Sequence, residues 1–222
     1  MKIVYSYHGG KPSDFLLKMA RLSLLSVKHY TDYPTELWVD KENLAFFGNG
    51  YDSYVVSDFG NPDARYWNMS KLYVYAQQTE PFLHIDFDTC VMPGFTIPDD
   101  AFVCEKMRKI LIDDEYTKHA LNAPVYDEIL CSGFLGGSDY GYMFKEHYDW
   151  AKRQANDTPT YKNLISLEEV ALTQRIRMER KNIGTLPTDT FLHFWCRRNL
   201  GVSKEDIYGI VVSDLLKFMT NK

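Results

Sequence analysis

Two aspartates one residue apart, Asp86 and Asp88, close the apolar run Pro81-Phe82-Leu83-His84-Ile85 and are followed by Thr89-Cys90 and then Pro93-Gly94. A short apolar run with turn chemistry at both ends reads as a buried strand. Side chains two apart on an extended chain project the same way, so both carboxylates are expected on one side of the strand exit while Phe87 turns back into the core. Carboxylates so placed repel each other unless a cation sits between them. A hard divalent ion with oxygen ligands suits that position, and a diphosphate would supply the rest of its ligands. In a chain that is 25% charged such a triplet also arises by chance and simply solvates a loop. Its place directly after an apolar strand favours the first reading, because open parallel sheets bind ligands at the carboxyl ends of their strands.

The elements that must position these groups have to come from 222 residues, 45% of them hydrophobic and 15% aromatic, enough to bury one sizeable core. A single domain over residues 1–222 is expected. The formal charge of -5 and the pI near 5.7 leave no basic footprint, so nucleic acid is excluded as a partner class. No stretch has the apolar length of a membrane span, while peripheral contact with a membrane is left open, as is the oligomeric state. The start, MKIVYSYHGG, has too short an apolar run for a secretory signal. Cys90, Cys104, Cys131 and Cys196 lack paired spacing, which argues against a zinc site or a disulfide framework and for a reduced, cytoplasmic protein.

Along the chain, Lys2 to Tyr7 alternates β-branched and aromatic residues and reads as a first strand ended by His8-Gly9-Gly10. The glycine pair serves either a close backbone approach to a ligand or a plain turn. Ser13 caps a helix with Phe15, Leu16, Met19, Leu22 and Leu25 at helical spacing. Thr35 to Val39 and Tyr51 to Val56 follow as strands, and the strand-helix-strand rhythm predicts a parallel α/β sheet. Asn61-Pro62 opens the next helix, with Tyr66, Met69, Leu72, Tyr73 and Ala76 on its apolar face. Lys71 lies off that stripe, where it either reaches the aspartate pocket as a cation for phosphate or is solvated at the surface.

Beyond the triplet, Asp99 to Tyr126 has no clean period, and the acidic run Asp113-Asp114-Glu115 is assigned no role. Ile129 to Ser138, ILCSGFLGGS, reads as one strand that something approaches closely. Ser138 or Asp139 caps a helix whose buried stripe is Met143, Phe144, His147, Trp150 and Ala151, with His147 a core histidine. Ser166-Leu167-Glu168-Glu169 has capping-box spacing. Thr190 to Trp195 is a short apolar run holding His193, followed by Arg197-Arg198.

Together the first strand with its glycine turn, Lys71, HIDFDTCV, CSGFLGGSD, SLEEVAL and LHFW resemble the GT-A glycosyltransferases, which are nucleotide-sugar-dependent enzymes. CSGFLGGSD is similar to the sugar-pocket turn of blood-group-type galactosyltransferases. LHF is similar to the histidine-phenylalanine pair of glycogenin-like enzymes, and the chain resembles small uncharacterised bacterial members more than any named enzyme. The resemblance implies an α/β, Rossmann-like fold with a mostly parallel central sheet flanked by helices, with a nucleotide-binding half at 1–95 and an acceptor or sugar half at 96–222. It implies a metal, Mn²⁺ or Mg²⁺, on Asp86, Asp88 and His193. Donor contacts would come from Tyr5, Ser6, Lys71, Asp86, Ser132, Gly133, Gly136 and Arg197, with Glu169, or Glu168 one position earlier, at the reacting centre. The implied activity is hexosyl transfer from a nucleotide sugar, a UDP-sugar first, to a glycan or other hydroxyl acceptor. The chain departs from the glycogenin-like pattern after LHF, where Trp195, Cys196, Arg197 and Arg198 replace a glycine and a lysine.

Two other classes use similar residues. D-x-D after an apolar strand also opens haloacid-dehalogenase-like phosphatases, with Asp86 as nucleophile and Asp88 as acid/base, although there the motif normally stands near the start of its domain. A non-catalytic nucleotide-sugar-binding protein could keep the whole arrangement.

Overall fold

The computed structural model describes residues 1–60, 67–98, 102–105, 107–109, 128–137, 141–157 and 183–193, together with 169, 172–173, 175–177, 206, 208–209 and 212–213. The described strands and helices run β1 (Lys2–Tyr7), α1 (Asp14–Tyr30), β2 (Thr35–Val39), α2 (Leu44–Phe47), β3 (Ser53–Val56), α3 (Trp67–Gln77), β4 (Phe82–Ile85) and β5 (Thr89–Val91). There follow β6 (Phe102–Cys104), β7 (Met107–Lys109), β8 (Glu128–Leu130), β9 (Phe134–Gly137), α4 (Gly141–Asp157), β10 (Ile183–Thr185) and β11 (Phe191–His193). A seven-stranded sheet has the order β10-β6-β9-β4-β1-β2-β3, with β9 antiparallel to both neighbours and the other pairings parallel. It is the α/β, mostly parallel sheet flanked by helices that the strand-helix rhythm predicts.

Alternation along β1 divides the core. Ile3 and Tyr5 pack with Ala20, Leu24 and Val27 of α1 on one face, whereas Val4 packs on the other with Leu72 of α3 and Phe144 of α4. Ser13 caps α1 as expected, its hydroxyl accepting from the Leu16 N–H at 3.2 Å. The buried face of α1 is rotated from the predicted stripe, for Ser23 and Ser26 are buried and Leu25 is 59% exposed. Those serines have a reason to be inside. Ser23 Oγ donates to the Thr89 carbonyl, and Ser26 Oγ accepts from the Val91 N–H at 3.0 Å, so the helix holds β5 by its polar groups.

Helix α3 lies between the sheet and α4 and is buried nearly all round: Met69, Ser70, Lys71, Leu72, Val74 and Tyr75 are all inside. His147, on α4, is buried and stacked on Trp150, in keeping with a core histidine. The predicted strand over Ile129–Ser138 is two strands. Ser132-Gly133 forms a turn between them, β8 pairing with β7 in a separate ribbon and β9 entering the main sheet. The aperiodic segment after Asp99 contains β6 and β7, which are too short for a period-2 signal. The caps proposed at Asn61, Ser138, Asp139 and Ser166 lie outside the described residues.

Candidate active site

Strand β1 pairs with β2 on one side and β4 on the other, so successive connections diverge between β1 and β4. A crevice at the carboxyl ends of such strands is the usual ligand position in open α/β sheets. At the end of β1, Gly9 has φ of 137°, open to glycine, and its N–H donates to Asp40 Oδ2 at 3.1 Å while Asn43 Nδ2 donates to the Gly9 carbonyl at 2.9 Å.

At the end of β4 the chain bends instead of staying extended. The Thr89 N–H donates to the Asp86 carbonyl at 3.0 Å, a turn over Asp86–Thr89, and the Asp86 N–H donates to the Gly133 carbonyl at 3.0 Å. Phe87 turns inward as expected, stacked on Tyr5 and Phe47 with ring centroids 5.6 and 5.2 Å away. The carboxylates converge because of this turn, which corrects the extended-strand reason for their convergence.

Strand β11 brings the histidine. It pairs antiparallel with β5, setting His193 opposite Thr89, and His193 Nε2 lies 3.5 Å from Asp88 Oδ1. Single ligand atoms of Asp86, Asp88 and His193 all fall within 4.8 Å of one another. The other ring nitrogen, Nδ1, is 2.6 Å from Oε2 of Glu105, a carboxylate buried to 1% exposure at the end of β6.

Lys71 is 3% exposed, so the surface-lysine reading is wrong. The side chain is enclosed by the exit of β4 and the Ser132 turn, which periodicity within α3 does not show. The Lys71 ammonium meets Asp86 Oδ1 at 2.9 Å and Ser132 Oγ at 3.3 Å. Ser132 is held in turn by Glu169, whose Oε1 accepts from the Ser132 N–H at 3.1 Å and from its hydroxyl at 3.2 Å. Glu169, Ser132, Lys71 and Asp86 thus form one connected polar chain.

The electrostatics follow from burial and proximity. Burial pushes the Asp86 carboxyl up and the Asp88 charge adds to it, against the pull of Lys71, so it sits above its ordinary value. Burial acts the same way on Asp88, but the His193 hydrogen bond and the nearby positive charges outweigh it and hold that carboxyl below the usual range. A pair pushed apart in this way has room for added positive charge. The donor set, two carboxylates and an imidazole nitrogen directed at one of them, fits a divalent ion. His84, behind Asp86, is held well below its ordinary value by burial and then by the Lys71 charge, and its Nε2 lies 2.9 Å from Ser6 Oγ.

Two expected donor contacts do not fit their placement. The Tyr5 side chain is wholly buried, with its hydroxyl 3.0 Å from Ser23 Oγ. Gly136 lies between two strands, where an added Cβ would run into the Phe82 carbonyl oxygen and sit 2.8 Å from Leu83 Cα, so its small size serves strand packing. At Gly133 an added Cβ would strike Glu105 Oε2 and lie 2.7 Å from the His193 ring, so that glycine leaves space for the Glu105 and His193 pair. Glu168 and Arg197 lie outside the described residues.

Sequence reading missed Glu105, Ser23 and Ser26. Glu105 had a signal, since an acid directly after Phe102-Val103-Cys104 repeats the pattern of Asp86 after Ile85. Ser23 and Ser26 were legible as two hydroxyls three apart inside an apolar helix, the spacing that places both on one face.

The sequence matches no protein-family model and no curated protein. Among solved structures the chain is similar to one described as PaToxG glycosyltransferase, at 14% identity over 80% of this chain and 69% of that one, with a TM-score of 0.51. This is a GT-A-like glycosyltransferase fold. A galactosyltransferase, LgtC, solved in complex with donor and acceptor sugar analogs, aligns at 12% identity over 75% of this chain and 69% of that one, with a TM-score of 0.46. In the GT-A-like frame the aspartate turn sits at the exit of the fourth strand. No helix among the described residues is long and apolar enough to cross a membrane.

Proposed function

We propose that this chain is a divalent-metal-dependent glycosyltransferase, moving a hexosyl group from a nucleotide sugar, a UDP-sugar first, to a hydroxyl of a glycan or similar acceptor. The observation that carries this reading is the convergence of Asp86, Asp88 and His193 within 4.8 Å at the divergence point of a GT-A-like sheet. Asp86, Asp88 and His193 would hold the ion, and a mixed carboxylate and imidazole set suits Mn²⁺ better than Mg²⁺. When bound, such an ion supplies Lewis-acid neutralisation of the departing nucleoside diphosphate.

The chain's own groups divide the remaining work. Lys71 orients Asp86 and brings a fixed positive charge beside the diphosphate, where charge grows as the sugar-phosphate bond stretches. Arg197 is assigned to the same diphosphate on its sequence position. Ser132 and Gly133 form the turn that faces the sugar, and Ser6, paired with His84, belongs to the donor side of β1. Glu169 acts at the reacting end with one oxygen committed to Ser132, which sets the distance of the sugar turn from the charge, and Glu168 is its alternate.

The phosphatase alternative would use Asp86 as a nucleophile, and Lys71 at 2.9 and 3.1 Å from its two oxygens is compatible with either reading, so the assay decides between them. The test is incubation with Mn²⁺ and a panel of nucleotide sugars, read as nucleoside diphosphate release, beside an aryl phosphate. Diphosphate release supports transfer, aryl phosphate cleavage supports the phosphatase, and binding without turnover supports a sugar-nucleotide-binding protein.

A further inference from the structure

We infer that Glu105 is a positioning residue that fixes the tautomer and orientation of His193, so that Nε2 is presented to the ion beside Asp88. The inference rests on the metal-site reading above and adds to it a residue that no motif marks.

The distances separate two roles open to Glu105. Glu105 Oε2, Cys131 Sγ and His193 Nδ1 also lie close enough to be considered as metal ligands in their own right. Two ligand atoms each about 2.1 Å from one ion stand roughly 3 to 3.5 Å apart, set by tetrahedral or octahedral angles. Asp88 Oδ1 and His193 Nε2, at 3.5 Å, have that separation. Glu105 Oε2 and His193 Nδ1, at 2.6 Å, do not, because the contact is the length of a charge-assisted hydrogen bond with a proton between the atoms. Cys131 Sγ lies 3.2 Å from the same Oε2 as a thiol donor. Glu105 therefore accepts, and Nδ1–H donates to it, which assigns Nε2 to the Asp88 side as the nitrogen that ligates once an ion takes the place of the proton shared with that carboxylate.

The pair is built into the fold. Glu105 is 1% exposed and His193 is 8% exposed, and the Glu105 N–H is held by the Cys131 and Phe134 carbonyls at 3.3 and 3.2 Å. Gly133 has no side chain where a Cβ would overlap both partners. A buried carboxylate is costly unless it is hydrogen-bonded, and the shortest contact to Oε2 comes from the ring, with the Cys131 thiol beside it. A carboxylate behind a ligating histidine holds the ring in one orientation and raises the basicity of the ligating nitrogen, typically worth 10- to 100-fold in metal affinity.

The test uses Mn²⁺ alone, titrated by calorimetry into the parent, Glu105→Gln and Glu105→Ala, with histidine ¹⁵N NMR on the metal-free proteins to read the His193 tautomer. The expected result is Nδ1-protonated His193 in the parent, a mixed tautomer in Glu105→Gln, and Mn²⁺ affinity reduced by about 10- to 100-fold in Glu105→Ala with a smaller loss in Glu105→Gln, which keeps an acceptor. If Glu105→Ala fails to fold, the near-isosteric Glu105→Gln carries the comparison. Equal Mn²⁺ affinity in the parent and a folded variant, or a His193 whose Nδ1 carries no proton in the parent, overturns the inference. A cobalt-loaded parent with a thiolate charge-transfer band that Cys131→Ser abolishes also overturns it, by making Glu105 and Cys131 ligands. A parent that binds no Mn²⁺ defeats the metal-site reading and with it the presentation to an ion, while the tautomer still decides the Glu105 and His193 pairing.

Discussion

The Lys71 ammonium lies 2.9 Å from Asp86 Oδ1 and 3.1 Å from Oδ2, joining the middle of α3 to the exit of β4. Removing one partner of a buried ion pair costs about 3–5 kcal/mol because the other is left uncompensated. Asp86 keeps 23% of its side chain open to solvent, so Lys71→Met is expected to cost less, about 1–3 kcal/mol. It should also raise the donor KM. Mn²⁺ should restore part of the lost melting temperature by supplying another cation to Asp86. Calorimetric melting with and without Mn²⁺ checks this, and identical melting of variant and parent would return Lys71 to a passive role.

Glycine substitutions separate the packing and site roles of the Ser132–Gly137 region. Gly133→Ala presses on the ends of two side chains, Glu105 and His193, and should weaken Mn²⁺ binding at a cost of about 1–3 kcal/mol in stability. Gly136→Ala presses on the backbone of Phe82 and Leu83, which cannot give way without parting β4 from β9, and should destabilise the fold more. Paired denaturant melts and Mn²⁺ titrations distinguish them. Unimpaired Mn²⁺ affinity in Gly133→Ala contradicts the steric account.

Much of this fold is legible in the sequence, and the reasons vary by element. β1 and β2 show alternation or β-branched runs of five or six residues, and α1 has a capping serine before a long helical period. β4 and its aspartates are marked by apolar residues followed at once by charge. The site itself is less legible, because His193 and Glu105 reach Asp88 through the pairing of β11 with β5 and through the end of β6. Three-residue strands carry almost no periodic signal, and register between distant strands is not encoded locally. Lys71 stays undecided between pocket and surface in the sequence because periodicity gives one buried stripe, while α3 is covered by the sheet and by a second helix and Lys71 is closed in by Asp86 and Ser132.

Acid stability should show a contribution from Asp52, an exposed partner of Lys28. Its carboxyl is lowered to about 2 by the Lys28 hydrogen bond and then by the Thr35 N–H and hydroxyl, each at 2.8 Å. A carboxyl with a depressed folded-state value stabilises the fold above its unfolded value near 3.8, and that contribution is lost as pH falls towards 2. The melting temperature of the parent should therefore decline between about pH 4 and pH 2 more steeply than that of Asp52→Asn. Parallel profiles would show that the contact contributes nothing.

Glu169 is tested by its conservative variant. Glutamine keeps an oxygen able to accept from the Ser132 N–H and hydroxyl but carries no charge. Glu169→Gln should melt within about 1 kcal/mol of the parent and lose most of its turnover, on the order of 10²-fold. Full transfer rates in this variant would leave Glu169 as a brace for Ser132 and no more.

The central claim is that Asp86, Asp88 and His193 hold an ion that works on a nucleotide-sugar diphosphate. Asp88 is the member to remove, since a third of its side chain is exposed and its loss should leave the core intact. The deciding measurement is nucleoside diphosphate release from a panel of nucleotide sugars with Mn²⁺, for the parent and for Asp88→Asn of matched melting temperature. The account predicts release by the parent with at least one donor, abolished by chelation and reduced at least 10²-fold in Asp88→Asn. Donor turnover that is indifferent both to chelation and to Asp88→Asn would contradict it.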